Sequence, residues 1–354
     1  INLPEVTLSA AQDEQPKDYV NTVLYNGDGN STNDITGVGF QPDWTWIKER
    51  SSDGSHIADH VLVDSSRGYE NFLVSSSSQA QSSGVTGNNS TRSSDGFQTT
   101  NSGASNQNGQ PYVAWNWRIN GGTTSTDTNG SLNSTVQVNT TAGISIARFN
   151  NPTQGNFSVG HGLGSTPESF WFKAENTVMN WIVYHHEKST SVPDSTGLYL
   201  NSSLAGFSTG NWITGLTDTT ISIADGMISS GNNINYYIIS FKEVEGFSKF
   251  GIYDGVSNAN GTVVFTGFRP AIVIFKALGA DDWVIADNAR DPSNTVVGQL
   301  FPSSTIAESR SNNICDFLSN GFKLRRSAGS INQDGRNYIY YAWAEQAFKF
   351  SNAR

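Results

Sequence analysis

At 354 residues, with a formal net charge of −10 and a pI near 4.9, the chain exceeds one ordinary core and is too acidic for a phosphate-binding surface, which needs clustered Lys and Arg. Only 15% of residues are charged, while 36% are hydrophobic, 11% are aromatic and 35 are Gly, a turn-rich β composition that excludes disorder throughout. The single cysteine, Cys315, leaves no intramolecular disulfide and no multi-cysteine metal site, and is expected as a small buried apolar side chain.

In chain order, residues 1–24 read as an N-terminal arm. Their start, INLPEVTLSAAQDEQPKDYV, has neither the basic nor the apolar region of an export signal. No apolar run anywhere approaches the roughly 20 residues that cross a bilayer, so membrane insertion is not expected. A chain beginning at Ile is expected to be a processed form or a piece of something longer.

Residues 25–119 form the first of three stretches that share one grammar, the others being 147–244 and 251–345. In each, a Gly-rich turn feeds a Pro and then an apolar run that ends on Lys: GFQPDWTWIK, GHGLGSTPESFWFK and TGFRPAIVIFK. The step from Pro42 to Lys48, from Pro167 to Lys173 and from Pro270 to Lys276 is six every time. These runs are apolar on both faces, which predicts a central strand covered on two sides. The lysine is expected to lay its stem on that apolar surface and keep its ammonium in water.

The next shared block is HVLVDSSR, WIVYHHEK and WVIADNAR. Its fifth position is Asp64, His185 or Asp287, and its eighth is Arg67, Lys188 or Arg290. An Asp and an Arg three apart on a turn after a strand can form a bidentate ion pair that also caps backbone groups, so the pair reads as structural rather than catalytic. His185, His186 and Glu187 are metal-ligand types, but neighbours on a strand point to opposite faces and cannot share an ion. The loop DGNSTND, 28–34, places oxygens as calcium loops do, yet lacks the Gly and Glu such a loop requires. Further along come DGF at 95–97, DGM at 225–227 and NGF at 320–322. Each stretch closes on an aromatic strand beginning at Tyr112, Tyr236 or Tyr338, at 70, 69 and 68 residues from its Pro.

Between these stretches, residues 120–146 read by composition as a Gly/Ser/Thr/Asn-rich linker with a short strand at STVQV and some independent movement. Residues 245–250, EGFSKF, form a short second linker whose two Phe should dock. The polar loop 75–94 is expected to be mobile unless a partner orders it. The reading is therefore an all-β chain of three tandem related antiparallel β-sandwich-like modules, the third, 251–354, carrying a C-terminal tail. Barrel closure is the other arrangement the pattern allows.

No G-x-S-x-G elbow, P-loop or dinucleotide fingerprint occurs, and no carboxylate pair recurs as a glycosidase would need. The expectation is no catalytic residue, no cofactor and no metal.

The ordered combination of TVLYNGDGNSTNDITGVGFQPDWTWIK, DSSRG, PYVAWNWR, VGHGLGSTPESFWFK, NWIVYH, EGFSKFGIYDG, FTGFRPAIVIFK, DFLSNGFKLR, YIYYAWAE and FKFSNAR resembles a family of structural proteins of tailed bacteriophages, many of them marine. The likeness covers Val20 to Arg354 and carries no catalytic residues with it. It implies a virion surface protein of the tail-fibre or host-attachment kind, assembled in the host cytoplasm, homo-oligomeric, and contacting other virion proteins. Its outward partner would be a bacterial surface receptor or polysaccharide, with no nucleic acid bound. A capsid decoration protein using the N-terminal arm as a clip is the alternative, and a carbohydrate-active enzyme the minor one.

Overall fold

The computed structural model describes residues 15–51, 59–83, 92–100, 102–153, 155–188, 191–225, 231–327 and 329–346. They are almost entirely antiparallel β-structure; the helical pieces are a single turn at Pro16–Asp18 and another at Gly329–Asn332.

One strand order occurs three times. An opening strand pairs with a closing strand, the closing strand with a central strand, and the central strand with a flanking strand. In the first occurrence these are Val20–Asn26, Pro111–Trp117, Trp44–Glu49 and Val61–Asp64. In the second they are Ile144–Asn151, Ile234–Phe241, Ser169–Ala174 and Ile182–His185. In the third they are Ser248–Asp254, Asn337–Gln346, Arg269–Ala277 and Val284–Asp287. Register agrees too. The residue two beyond the shared Pro, which is Trp44, Ser169 or Ile272, sits opposite Trp117, Phe241 or Trp343 on one side. On the other side it faces Asp64, His185 or Asp287. The opening strands begin at Val20, Ile144 and Ser248, so the boundaries expected at 25, 147 and 251 fall inside them.

The central strands are covered on both faces, as their apolar runs predict. Side chains alternate across a strand. Phe170 and Phe172 therefore enter one core with Trp212 and Ile221, and Val273 and Phe275 another with Phe322 and Leu324. These outer cores lie under a second layer of short strands. In the first occurrence that layer is Asn33–Thr36, Gly96–Thr99 and Arg92–Ser93, and in the third it is Val263–Phe265, Gly321–Leu324 and Cys315–Leu318. In the second it is Phe157–Gly160, Thr220–Ile223 and Phe207–Leu216, joined through Asp194–Tyr199 into a ten-stranded sheet. A bridge between Leu132 and Val159 brings this sheet close to barrel closure. Cys315, in the outer layer of the third occurrence, is fully buried, as expected.

The opposite faces of the central strands do not close separate sandwiches. Trp44, Trp46, Trp171, Ile272 and Ile274 meet in one common core with Trp115, Trp117, Trp181, Phe241, Trp283, Tyr341 and Trp343. Eight of the nine tryptophans lie in it, which is why the three sheets cannot part without exposing its largest side chains. Trp44 and Trp46 each approach Trp171 at 6.0 and 5.9 Å, and Trp117 meets Trp343 at 5.6 Å.

One further expectation is corrected. The stretch 120–146 carries strands Ser125–Asp127 and Ser134–Asn139, the latter at the expected STVQV, and both extend the ten-stranded sheet. Its entry is clamped by the buried Asp43. That carboxylate accepts hydrogen bonds from the backbone N–H groups of Ile119, Asn120, Gly121 and Gly122 at 2.6 to 2.9 Å and from Gln137 Nε2 at 2.8 Å. Of the DGM expected to match DGF and NGF, Gly226 and Met227 lie outside the described residues. The matching hairpin places Gly160 opposite Thr220, where the other two place Thr36 opposite Gly96 and Phe265 opposite Gly321. A Cβ at Gly96 or Gly321 would lie 1.9 or 2.0 Å from a carbonyl of the partner strand, so both positions need glycine, whereas one at Gly160 would meet the Asp127 side chain at 2.1 Å. Phe247 and Phe250 of the second linker are buried, as expected. In the 75–94 loop, residues 84–91 lie outside the described residues, while Ser78 O accepts from Met179 N at 2.9 Å.

Candidate functional site

The residues that recur at fixed spacing converge on the seams where one sheet meets the next. Asp64 and Arg67 form an ion pair, Nε to Oδ2 at 2.5 Å, with both side chains fully excluded from solvent. Asp64 Oδ1 also accepts from the backbone N–H of Ser66 and Arg67, and Arg67 Nη2 donates to Leu62 O. Asp287 and Arg290 repeat this at 2.6 Å, with Arg290 N on Asp287 Oδ1 and Nη2 on Ile285 O. The expected ion pair and backbone cap are both present, but the pair is made through Nε alone and is not the expected bidentate one, because the second carboxylate oxygen is taken by the backbone N–H groups.

Each pair serves a neighbouring sheet. The Arg67 guanidinium lies 4.8 Å over Tyr237, and that of Arg290 lies 5.5 Å over Trp115, whose Nε1 donates to Asp287 Oδ2 at 3.0 Å. The middle position is His185, which packs edge-on against Tyr341 at 5.1 Å. Burial, helped by the adjacent His186, pushes its imidazole down to about 3, so it sits there neutral. His186, just past the strand end with its ring 5.2 Å from that of His185, bonds Phe250 O at 2.9 Å, so the two imidazoles serve different partners. Lys188, in the arginine position, is half-buried, and burial lowers its ammonium, offset by the charge of Asp194. First sheet contacts second, second contacts third, third contacts first: the contacts run in a ring.

The three lysines do not keep their ammonium groups in water. Lys48, Lys173 and Lys276 are wholly buried. Lys173 Nζ donates to Ala174 O at 3.1 Å and across the seam to Ser78 O at 3.2 Å. Lys276 Nζ donates to Asp281 O at 2.6 Å and across the next seam to Ser203 O at 3.4 Å, while Lys48 Nζ bonds Glu49 O at 2.8 Å. Removal from water pushes Lys48 and Lys276 down to about 8, against the pull of nearby carboxylates, and Lys173 to about 7, where the Arg67 charge adds to the effect. The strand ends stop inside a seam, so stem and head are buried together. Pro42, Pro167 and Pro270 are buried at the opposite ends of these strands.

Sequence reasoning missed the other seam contacts. Trp181 Nε1 donates to Val74 O at 2.9 Å and Trp283 Nε1 to Tyr199 O at 2.8 Å, one position before equivalent flanking strands. The third seam uses Ser75 Oγ to Pro302 O at 2.8 Å and Arg50 to Glu308 at 2.6 Å. Asp43 was also missed, although its position is acidic in two occurrences: Glu168, likewise after the Pro, accepts from Glu243 N at 2.8 Å.

Catalysis needs side chains that a substrate can reach, and the recurring charged residues are enclosed. Solvent-facing relief is found elsewhere. An open polar cleft of about 410 Å³ lies between the end of the first closing strand and the 120–142 segment, lined in part by Tyr19, Arg118, Asn120, Val138 and Thr140. Among the described residues no group of three or more His, Cys, Asp or Glu is placed to hold a metal ion. No described helix is long and apolar enough to cross a membrane.

Residues 15–347 match the model of a family described as a domain of unknown function, DUF7483, and the chain belongs to that family. No curated protein matches it.

Proposed function

We propose that this member of the family is a bacteriophage virion structural protein of the tail-fibre or host-attachment kind, whose work is to hold polar loops rigidly toward a bacterial surface. It consists, on this reading, of three tandem copies of one β-module closed head to tail into a ring, a single-chain counterpart of a cyclic trimer. The observation that carries it is the fate of the shared residues: Asp64, Arg67, His185, Asp287, Arg290 and the three lysines are buried at seams, where they maintain shape. Repetition would then supply several similar outward faces, suited to individually weak contacts with a receptor or polysaccharide that add by avidity. The phage resemblance of the sequence supplies the virion context, a surface location, other virion proteins as neighbours and assembly with further copies of itself.

Locating the protein in a reconstruction of the virion that encodes it tests the reading. Density at the tail tip or along a fibre is expected, together with adsorption of the isolated protein to susceptible cells. Density on the shell would replace attachment by capsid decoration, and absence from the particle would overturn both.

A further inference from the structure

We propose that the cleft beside Arg118 is a binding site for a carboxylate-bearing saccharide, an inference that rests on the attachment reading and gives it a place on the molecule. Three observations carry it.

The first is the cation. Of the described arginine side chains, Arg118 alone has no acceptor among the described residues; Arg50, Arg67, Arg148, Arg269, Arg290, Arg310, Arg325 and Arg336 each pair with a carboxylate, and Arg326 bonds Gln299. In a chain with ten more acidic than basic charges, a solvent-exposed guanidinium left without a carboxylate is unusual. Its planar fork suits a carboxylate bidentately.

The second is a wall already in place. Residues 119–122 are gathered by four backbone N–H bonds to Asp43, itself fully buried, so this side of the cleft needs no ordering when a ligand enters. Those donors and Gln137 occupy the Asp43 oxygens, which lie behind the wall and leave Arg118 as the charge facing the opening. The exposed Thr140 hydroxyl has no described partner, and the half-buried Tyr19 ring supplies apolar surface for a sugar face.

The third is singularity. By register, the positions matching Arg118 are Lys242 and Ala344; after Lys242 the next opening strand begins at Ser248, whereas after Arg118 the stretch to Ile144 supplies Val138 and Thr140 as an opposite wall. The 120–146 stretch thus makes a cleft that the short connection after Lys242 does not repeat.

Saturation-transfer NMR on the full chain, using the methyl glycosides of glucuronate and galacturonate and N-acetylneuraminate against methyl glucoside and acetate, tests this. At least one acidic sugar should bind ten-fold or more tighter than both glucoside and acetate. Arg118→Gln should weaken that binding at least ten-fold with melting unchanged, Arg118→Lys should restore part of it, and added salt should weaken it. Binding to none of the acidic sugars, equal binding of acetate, or retention by Arg118→Gln would overturn the site. Cell adsorption separates the two claims. Undiminished adsorption by Arg118→Gln overturns the cleft alone, whereas no adsorption by the unaltered protein overturns attachment.

Discussion

The buried ion pairs decide what the conserved grammar of the three strand sets is for. Asp287 holds Arg290, caps its backbone N–H and receives Trp115 Nε1 from another sheet. Asp287→Asn keeps the volume but leaves the buried guanidinium only the more distant Glu308 Oε1, 3.7 Å from Nη1, a loss of up to about 3 to 5 kcal/mol. A clear drop in melting temperature with host-cell adsorption intact is expected; unchanged melting with lost adsorption would assign the pair to binding. The lysines and His185 set a pH dependence. Lys173 stands near 7 in the folded chain and near 10.4 unfolded, so between these values the unfolded chain holds a proton that the folded one has released. Stability therefore rises with pH above about 7, by about 1.4 kcal/mol per pH unit for each lysine wholly in this regime, with Lys48 and Lys276 joining above about 8. His185, at about 3 folded against about 6.5 unfolded, makes stability fall as pH drops below about 6.5. Melting temperature should climb from pH 5 to 9, and Lys173→Met should flatten the part from 7 to 9. A flat profile there, or an undiminished slope in the variant, would contradict the burial of that ammonium.

At the scale of elements, Asp43 is the test of how the chain leaves its first strand set. Asp43→Ala removes the acceptor of six donors, the Ser65 hydroxyl among them, and should cost about 2 to 4 kcal/mol. Hydrogen exchange of the Ile119 to Gly122 amides should become fast while the Trp44–Glu49 ladder stays protected; unchanged protection at 119–122 would show the clamp to be idle. Strands were legible in the sequence because aromatic and β-branched runs between Gly, Pro and Asn leave few alternatives, and the six-residue Pro-to-Lys step marked the central strand correctly. The ion pairs were legible because two charges three apart repeat in a chain poor in charge. Partners across the common core were not. Apolar faces on WTWIK say that both sides are covered, and nothing in a period of two says by what, so Trp44 and Trp46 could be assigned to burial but not to Trp171. The lysine heads were misplaced for the same reason, since only the neighbouring sheet turns a strand end into an interior.

For the whole molecule, the ring of seams changes the expected mechanics. Three sandwiches joined by linkers would unfold separately. Three sheets that lend one face each to a shared core, with Arg50 and Glu308 tying the first set to the third and Arg310 adding to Glu308 and Asp291, have no independent edge from which to open. The shared core also explains how a chain whose segments are each too small to enclose so many tryptophans can bury them all. Differential scanning calorimetry of the intact chain is the most direct measurement of this shared core. It should record one transition whose calorimetric and van't Hoff enthalpies agree; two or three separable transitions, each assignable to one strand set, would contradict it.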